Sequence, residues 1–301
     1  MNFDFGNIQT TEFGTGRDDG DEHAFHCVDV NGDVQTALLE MAQTTWEEMQ
    51  HENTEPPQYD PAEKHASKEH MILPLNNELA VRMHALHTAQ NLDNDQDALN
   101  DMDDVFCYFA RFTDNQGRHL TALRRATQFK GILRSRGRLM RMVDDSLQII
   151  EDEIFKLDSD FDLLIDDENI HILRPSGFEF AGKLQDAILA AVGGNVASLQ
   201  EELPFVAFAP IKEYASTHPR AARYLASIRS QQEVARIDLA HLTEACRATG
   251  VQISEDNDTI SVDEQNIMGF LEVLDRRRYE VRLVPEEPEQ YRAPSRQRIK
   301  R

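Results

Sequence analysis

The order of strand-like and helix-like segments is what constrains this chain most. Between residues 105 and 173, short apolar runs are separated by turn sequences; beyond Pro175, apolar residues recur mainly at helical spacing. Residues 105–112 (VFCYFARF) predict a strand. Asp114-Asn115-Gln116-Gly117 predicts a turn, with 119–127 returning as a hairpin partner. Residues 139–150 predict another strand, and 161–165 with 170–173 a second hairpin around Asp166-Asp167-Glu168-Asn169. Helices are predicted over 177–192, 195–203, 210–217, 219–231 and 239–248, with Pro210 and Pro219 near helix starts and Gly250 as a stop. A hairpin over 251–262, a helix over 264–275 and a strand over 279–284 follow. Upstream, HAFHCVDV (23–30) predicts a strand closed by Asn31-Gly32. A helix should start at the N-cap Asp33, and Leu79, Met83 and Leu86 indicate another. Strands first and helices later give an α+β fold: an antiparallel sheet of hairpins followed by a mostly helical C-terminal part.

A length of 301 residues is enough for about two domains. Residues 1–22 are Gly- and Asp-rich without periodicity and read as an acidic flexible tail. Residues 23–104 form an acidic N-terminal α/β region. Within it, 51–69 carries Pro56-Pro57 and Pro61 as a linker or long loop, and 91–104 is the candidate domain boundary. A core domain is expected over 105–284 and a basic tail over 285–301.

The net charge of −23 makes the molecule as a whole repel nucleic acid and anionic lipid. No apolar run reaches the ~18 residues of a membrane span, and MNFDFGNIQT has no export signature. Three widely separated cysteines, Cys27, Cys107 and Cys246, suit a reducing cytoplasm. The charge falls in blocks. Residues 1–110 carry 23 acidic groups and 4 basic ones, whereas 111–143 carry 9 basic groups and only Asp114 as an acid. Residues 144–180 return to 12 acidic and 2 basic groups. Salt confines each field to about 8–10 Å, so a basic block can bind a polyanion on an acidic protein.

Several motifs fail. Asp158-Ser-Asp160-Phe-Asp162 starts like a calcium loop but has Leu163 and Asn169 where Gly and Glu belong. Gly14, Gly16 and Gly20 make a poor dinucleotide fingerprint, and there is no P-loop or nucleophile elbow. The pairs His23/His26 and His84/His87 lack a third metal ligand. Asp160, Asp162 and Glu179 with Lys183 have residue types that a metal-dependent nuclease uses, but no nuclease spacing. The blander reading places them at strand and helix ends. No catalytic residue, metal or cofactor is assigned.

The basic block remains: Arg118, Arg124, Arg125, Lys130, Arg134, Arg136, Arg138 and Arg141, broken by Gly131 and Gly137. Arginine's planar fork binds phosphate bidentately, so these residues are the primary candidates for DNA contact. Arg220 and Arg223, at helical spacing, and the run Arg276-Arg277-Arg278 are secondary candidates. The alternative is that the arginines pair with the chain's own carboxylates. A further alternative is a protein-binding adaptor whose acidic N-terminal third docks a basic partner.

Phe155-Lys-Leu-Asp158-Ser-Asp160-Phe-Asp162, followed by Ile170-His-Ile-Leu-Arg-Pro175-Ser-Gly-Phe178-Glu, resembles the KwaB family of the bacterial Kiwa anti-phage system. The likeness is best over 105–284. It implies a cytoplasmic homodimer that binds DNA with little sequence preference. It also implies a partner, the multi-pass membrane protein KwaA, that holds the complex at the inner membrane. There the complex would block replication and late expression of phage DNA. The family motif carries over no DNA-contact residue.

Overall fold

The run at 105–112 is apolar at nearly every position, a pattern that a strand sustains when both its faces are covered. The computed structural model describes residues 1, 3–19, 22–52, 55–90, 92–94, 105–126, 140–143, 146–149, 157–231, 233–281 and 289–293. Its first elements are β1 (Ile8–Asp19), β2 (Glu22–Val28), α1 (Gly32–Glu52), β3 (Met71–Pro74), α2 (Val81–Thr88) and β4 (Asp93–Asn94). They are followed by β5 (Val105–Asp114), β6 (His119–Arg125), β7 (Met140–Val143), β8 (Ser146–Ile149), β9 (Leu163–Ile165), β10 (Asn169–Ile172) and α3 (Pro175–Ala181). Eight of the strands form one sheet in the order β3-β10-β9-β6-β5-β1-β2-β4. Its pairings are antiparallel except for the short edge pair of β2 with β4. β7 and β8 pair separately as a ribbon.

Register explains the core. Phe13, Ala110, Ala122 and Leu164 stand opposite one another across four strands. They pack in one cluster with Leu38, Met41, Ala42 and Met49 of α1. A fully buried Leu or Met contributes about 1.5–3 kcal/mol, so this helix face is a main source of the unit's stability. Thr45 ties helix to sheet: its buried hydroxyl donates to Met41 O at 2.7 Å and accepts from Phe161 N at 2.8 Å.

Residues 1–22 require a correction. They hold β1, a twelve-residue strand paired with β2 on one side and β5 on the other. Gly14 and Gly16 belong to that strand rather than to a nucleotide loop. A Cβ on Gly14 would lie 2.3 Å from His26 O and 2.3 Å from the Phe109 ring. The missing side chain makes room for an aromatic ring over the backbone.

The chain divides into two compact units, one comprising Met1–Tyr59 with His65–Lys183 and the other Asp60–Lys64 with Leu184–Arg301. The division thus falls at Lys183/Leu184, whereas the composition shift had pointed to 91–104. The predicted helix over 177–192 is interrupted there, with Lys183 in the left-handed region at φ 50°.

The second unit contains α4 (Gln185–Ala190), α5 (Val192–Glu202), α6 (Phe208–Ala215), α7 (Pro219–Arg229), α8 (Leu239–Ala248) and α9 (Glu264–Leu274). Its short strands are β11 (Ser254–Asp256), β12 (Thr259–Ser261), β13 (Arg278–Val281) and β14 (Glu289–Arg292). Leu199, Phe208, Ile211, Leu225, Ile228, Phe270 and Leu271 are buried in its core. Asp238 caps α8 by accepting from His241 N at 2.9 Å. Part of the expected basic tail is β14, which pairs with β13 so that Arg292 faces Arg278. Among the described residues, no helix is long and apolar enough to cross a membrane.

Candidate functional site

Asp158, Asp160 and Asp162 are two residues apart, a spacing that lets extended backbone present them on one side. All three meet Arg124 of β6. Its Nε lies 3.3 Å from Asp158, and its Nη1 lies 3.3 Å from Asp160 and 2.8 Å from Asp162. Arg174, just before α3, donates to Asp160 Oδ2 at 2.6 Å and to Phe161 O at 3.0 Å. Lys68 adds a third cation, 3.3 Å from Asp160. Tyr108 donates its hydroxyl to Asp158 Oδ2 at 3.0 Å. Lys68 is shared with Glu48, so among the described residues three cations serve four carboxylates.

The two most buried carboxyls respond differently. Burial opposes ionisation of Asp160, but the Arg174 hydrogen bond and charge, helped by Lys68 and Arg124, hold its carboxyl below the usual range. At Asp162 burial prevails and pushes the carboxyl up, against Arg124, the Arg125 N–H and Arg174. Asp162 also braces the start of α3: its carbonyl accepts from Leu173 N at 2.8 Å and Arg174 N at 2.9 Å. Helix α3 crosses directly above. A Cβ on Gly177 would lie 2.3 Å from Asp162 Oδ2, an atom already held by Arg125 N at 2.8 Å. Gly177→Ala is therefore expected to destabilise the sheet unit by roughly 1–3 kcal/mol, read as a lower urea midpoint. An unchanged midpoint would mean that the carboxylate can move.

The segment that carried the family resemblance is thus a structural pin: Asp158, Asp160 and Asp162 grip Arg124 and Arg174, and Gly177 lets the helix close over them. This placement bears on the nuclease alternative. Asp160 and Asp162 are occupied by guanidinium groups, while Glu179 accepts from the Tyr59 hydroxyl at 3.0 Å. Lys183 sits at the break between α3 and α4. Among the described residues, no group of three or more His, Cys, Asp or Glu is arranged to hold a metal ion. Of the pair His84 and His87, the second is buried, with Nδ1 2.9 Å from Thr121 Oγ1 and Nε2 3.3 Å from Asp167.

The basic candidates disperse. Arg118 pairs with buried Asp114 at 2.6 Å. Burial opposes ionisation of Asp114, yet the N–H groups of Arg118 and Gln116 and the Arg118 guanidinium hold its carboxyl down to about 2. Arg125 lies over the Phe180 ring at 3.8 Å. Lys130, Arg134, Arg136 and Arg138 lie outside the described residues, and Arg141 belongs to β7.

In the helical unit, Arg220, Arg223 and Arg277 line one cavity of about 460 Å³ with Tyr224 and Arg292. Arg276 stands apart, 3.7 Å from Glu233, and Arg278 lies on β13. Tyr224 and Arg292 were not singled out as site residues. Tyr224 follows Arg220 by four positions, one helical turn, and this spacing was available in the sequence. Arg292 reaches the cavity through the pairing of β14 with β13, which nothing in the local sequence signals.

Comparison with known proteins adds one finding. The model of the family described as Kiwa protein KwaB-like matches residues 102–283, more than half of the chain. No curated protein and no solved structure matches.

Proposed function

The chain belongs to the KwaB-like family and is a Kiwa defence-associated protein, and from that premise we propose that it is a non-specific DNA-binding effector of phage defence. The observation that carries this reading is the charge block. From Asn115 to Val143 the chain has eight cations and no acid, although 54 acids are spread over the rest. Arg118 and Arg124 are matched by Asp114 and by the three aspartates of the pin, and Arg125 by Phe180. Phosphate contact therefore falls to Lys130, Arg134, Arg136, Arg138 and Arg141. The effector acts as a homodimer, bound to a KwaA-like multi-pass partner at the inner membrane, and blocks replication and late expression of phage DNA.

The test is the salt dependence of duplex binding. If Arg134, Arg136 and Arg138 each neutralise one phosphate, their joint replacement by Ala lowers the log–log slope by up to ~2.7. Affinity should fall by a similar factor for unrelated sequences, because phosphate contacts carry no base information. Binding to the membrane partner should persist. A variant that keeps its slope and loses thermal stability would overturn the assignment.

A further inference from the structure

The cavity in the helical unit differs in kind from a backbone-tracking groove. Four arginines, Arg220, Arg223, Arg277 and Arg292, share about 460 Å³, and its described lining contains no carboxylate. A groove for a nucleic-acid strand spreads its cations along a path, with one charge to meet per phosphate. Four guanidinium groups around one small volume match a single group that carries several charges.

The carboxylates lie outside that lining. Glu272, 4% exposed, approaches Arg220 at 3.6 Å and also pairs with Arg292. Asp275, fully buried, accepts from Ser227, Gln231 and Arg277. Arg223 donates to the carbonyls of Pro61 at 3.2 Å and Glu63 at 3.3 Å. These contacts fix three of the forks. Tyr224 supports the arrangement, with Arg277 5.1 Å and Arg220 5.8 Å from its ring centroid. Arg220 is the adjustable member, with a side chain 64% exposed.

The helix adds to the positive potential. Arg220, Arg223 and Tyr224 occupy one face of the first turns of α7, which has no acidic residue there. The dipole makes that end a favourable place for an anion and an unfavourable one for cations. An anion in the cavity would offset both the dipole and the mutual repulsion of the arginines.

We propose that this cavity binds a terminal phosphate or polyphosphate group, of the kind borne by a nucleoside triphosphate or by the 5′-phosphorylated end of a nucleic acid. The volume lies in the range of small-ligand pockets, about 300–1,000 Å³. Arginine forks supply the bidentate geometry. This proposal is independent of duplex binding through the 115–143 block.

Titration calorimetry of the full chain with tripolyphosphate at low salt tests it. Arg220→Ala should weaken binding about tenfold or more, the loss expected for charge-assisted hydrogen bonds. Arg220→Lys should fall between, since it keeps the charge and loses the fork. Arg276→Ala removes an equal charge outside the cavity and should bind like the wild type. Failure of tripolyphosphate to bind, or equal weakening by Arg220→Ala and Arg276→Ala, would overturn the proposal. Two further ligands identify the source. Preference for a 5′-phosphorylated over a 5′-hydroxyl duplex, abolished by Arg220→Ala, assigns the cavity to nucleic-acid ends. ATP binding without that end preference assigns it to a free nucleotide. A chain that binds tripolyphosphate but no duplex would leave this proposal standing and overturn the DNA reading.

Discussion

Deletion of residues 1–22 is expected to unfold the sheet unit. The segment contains all of β1, which exchanges backbone hydrogen bonds with β2 and β5. Its loss would leave β5 with an open edge in the middle of the sheet and empty the site of Phe13, which is 4% exposed. A domain's whole stability is about 5–15 kcal/mol, and loss of a central strand removes contributions of that order. The shortened chain should lose sheet signal in circular dichroism and be digested rapidly by protease between residues 23 and 183. A cooperative unfolding transition at the wild-type position would show that β1 is dispensable. The electrostatic influence of this segment on DNA must therefore be measured with the strand retained. Replacing its six acids by their amides, with binding followed across a salt series, would do so.

Arg124→Ala is the most damaging single substitution expected. Among the described residues it leaves Asp160 with Arg174 and Lys68, and Asp162 with Arg174 at 3.7 Å, and it takes the guanidinium away from Asp158. Removing one partner from a buried ion-pair cluster costs about 3–5 kcal/mol, because the remaining charges stay desolvated. Urea unfolding at neutral pH should show a loss of about 3 kcal/mol or more. DNA binding by the molecules that remain folded should be unchanged, with the same salt slope. Wild-type stability combined with a shallower slope would return Arg124 to the phosphate-contact set.

Much of the architecture was legible because its signals are local. The aromatic run at 105–112, the turns at Asp114–Gly117 and Asp166–Asn169, and the prolines that open α3 and α7 each specify an element within a few residues. β1 was not legible. In IQTTEFGTGRDD only Ile8 and Phe13 are large and apolar; just residues 13–16 are buried, with rings of β5 lying against Gly14 and Gly16. Partnership was equally hidden. β3 pairs with β10 almost one hundred residues later, and no pattern within either strand names the other. The basic block illustrates the same limit at the candidate site. Adjacent in sequence, Arg124 and Arg125 project to different surroundings, one into carboxylates and the other over Phe180. Conversely, Arg220 and Arg292 are seventy-two positions apart and line one cavity.

The central place of β1 has a consequence for synthesis. This strand leaves the ribosome well before its partner β5, which begins almost ninety residues after β1 ends. Pairings so distant in sequence form slowly, and an unpaired strand meanwhile offers its edge to any other chain. Charge at and around such a strand disfavours association between copies. Residues 1–110 carry 23 acids against 4 bases. That acidity keeps waiting copies apart until the aromatic strand arrives to cover the glycines.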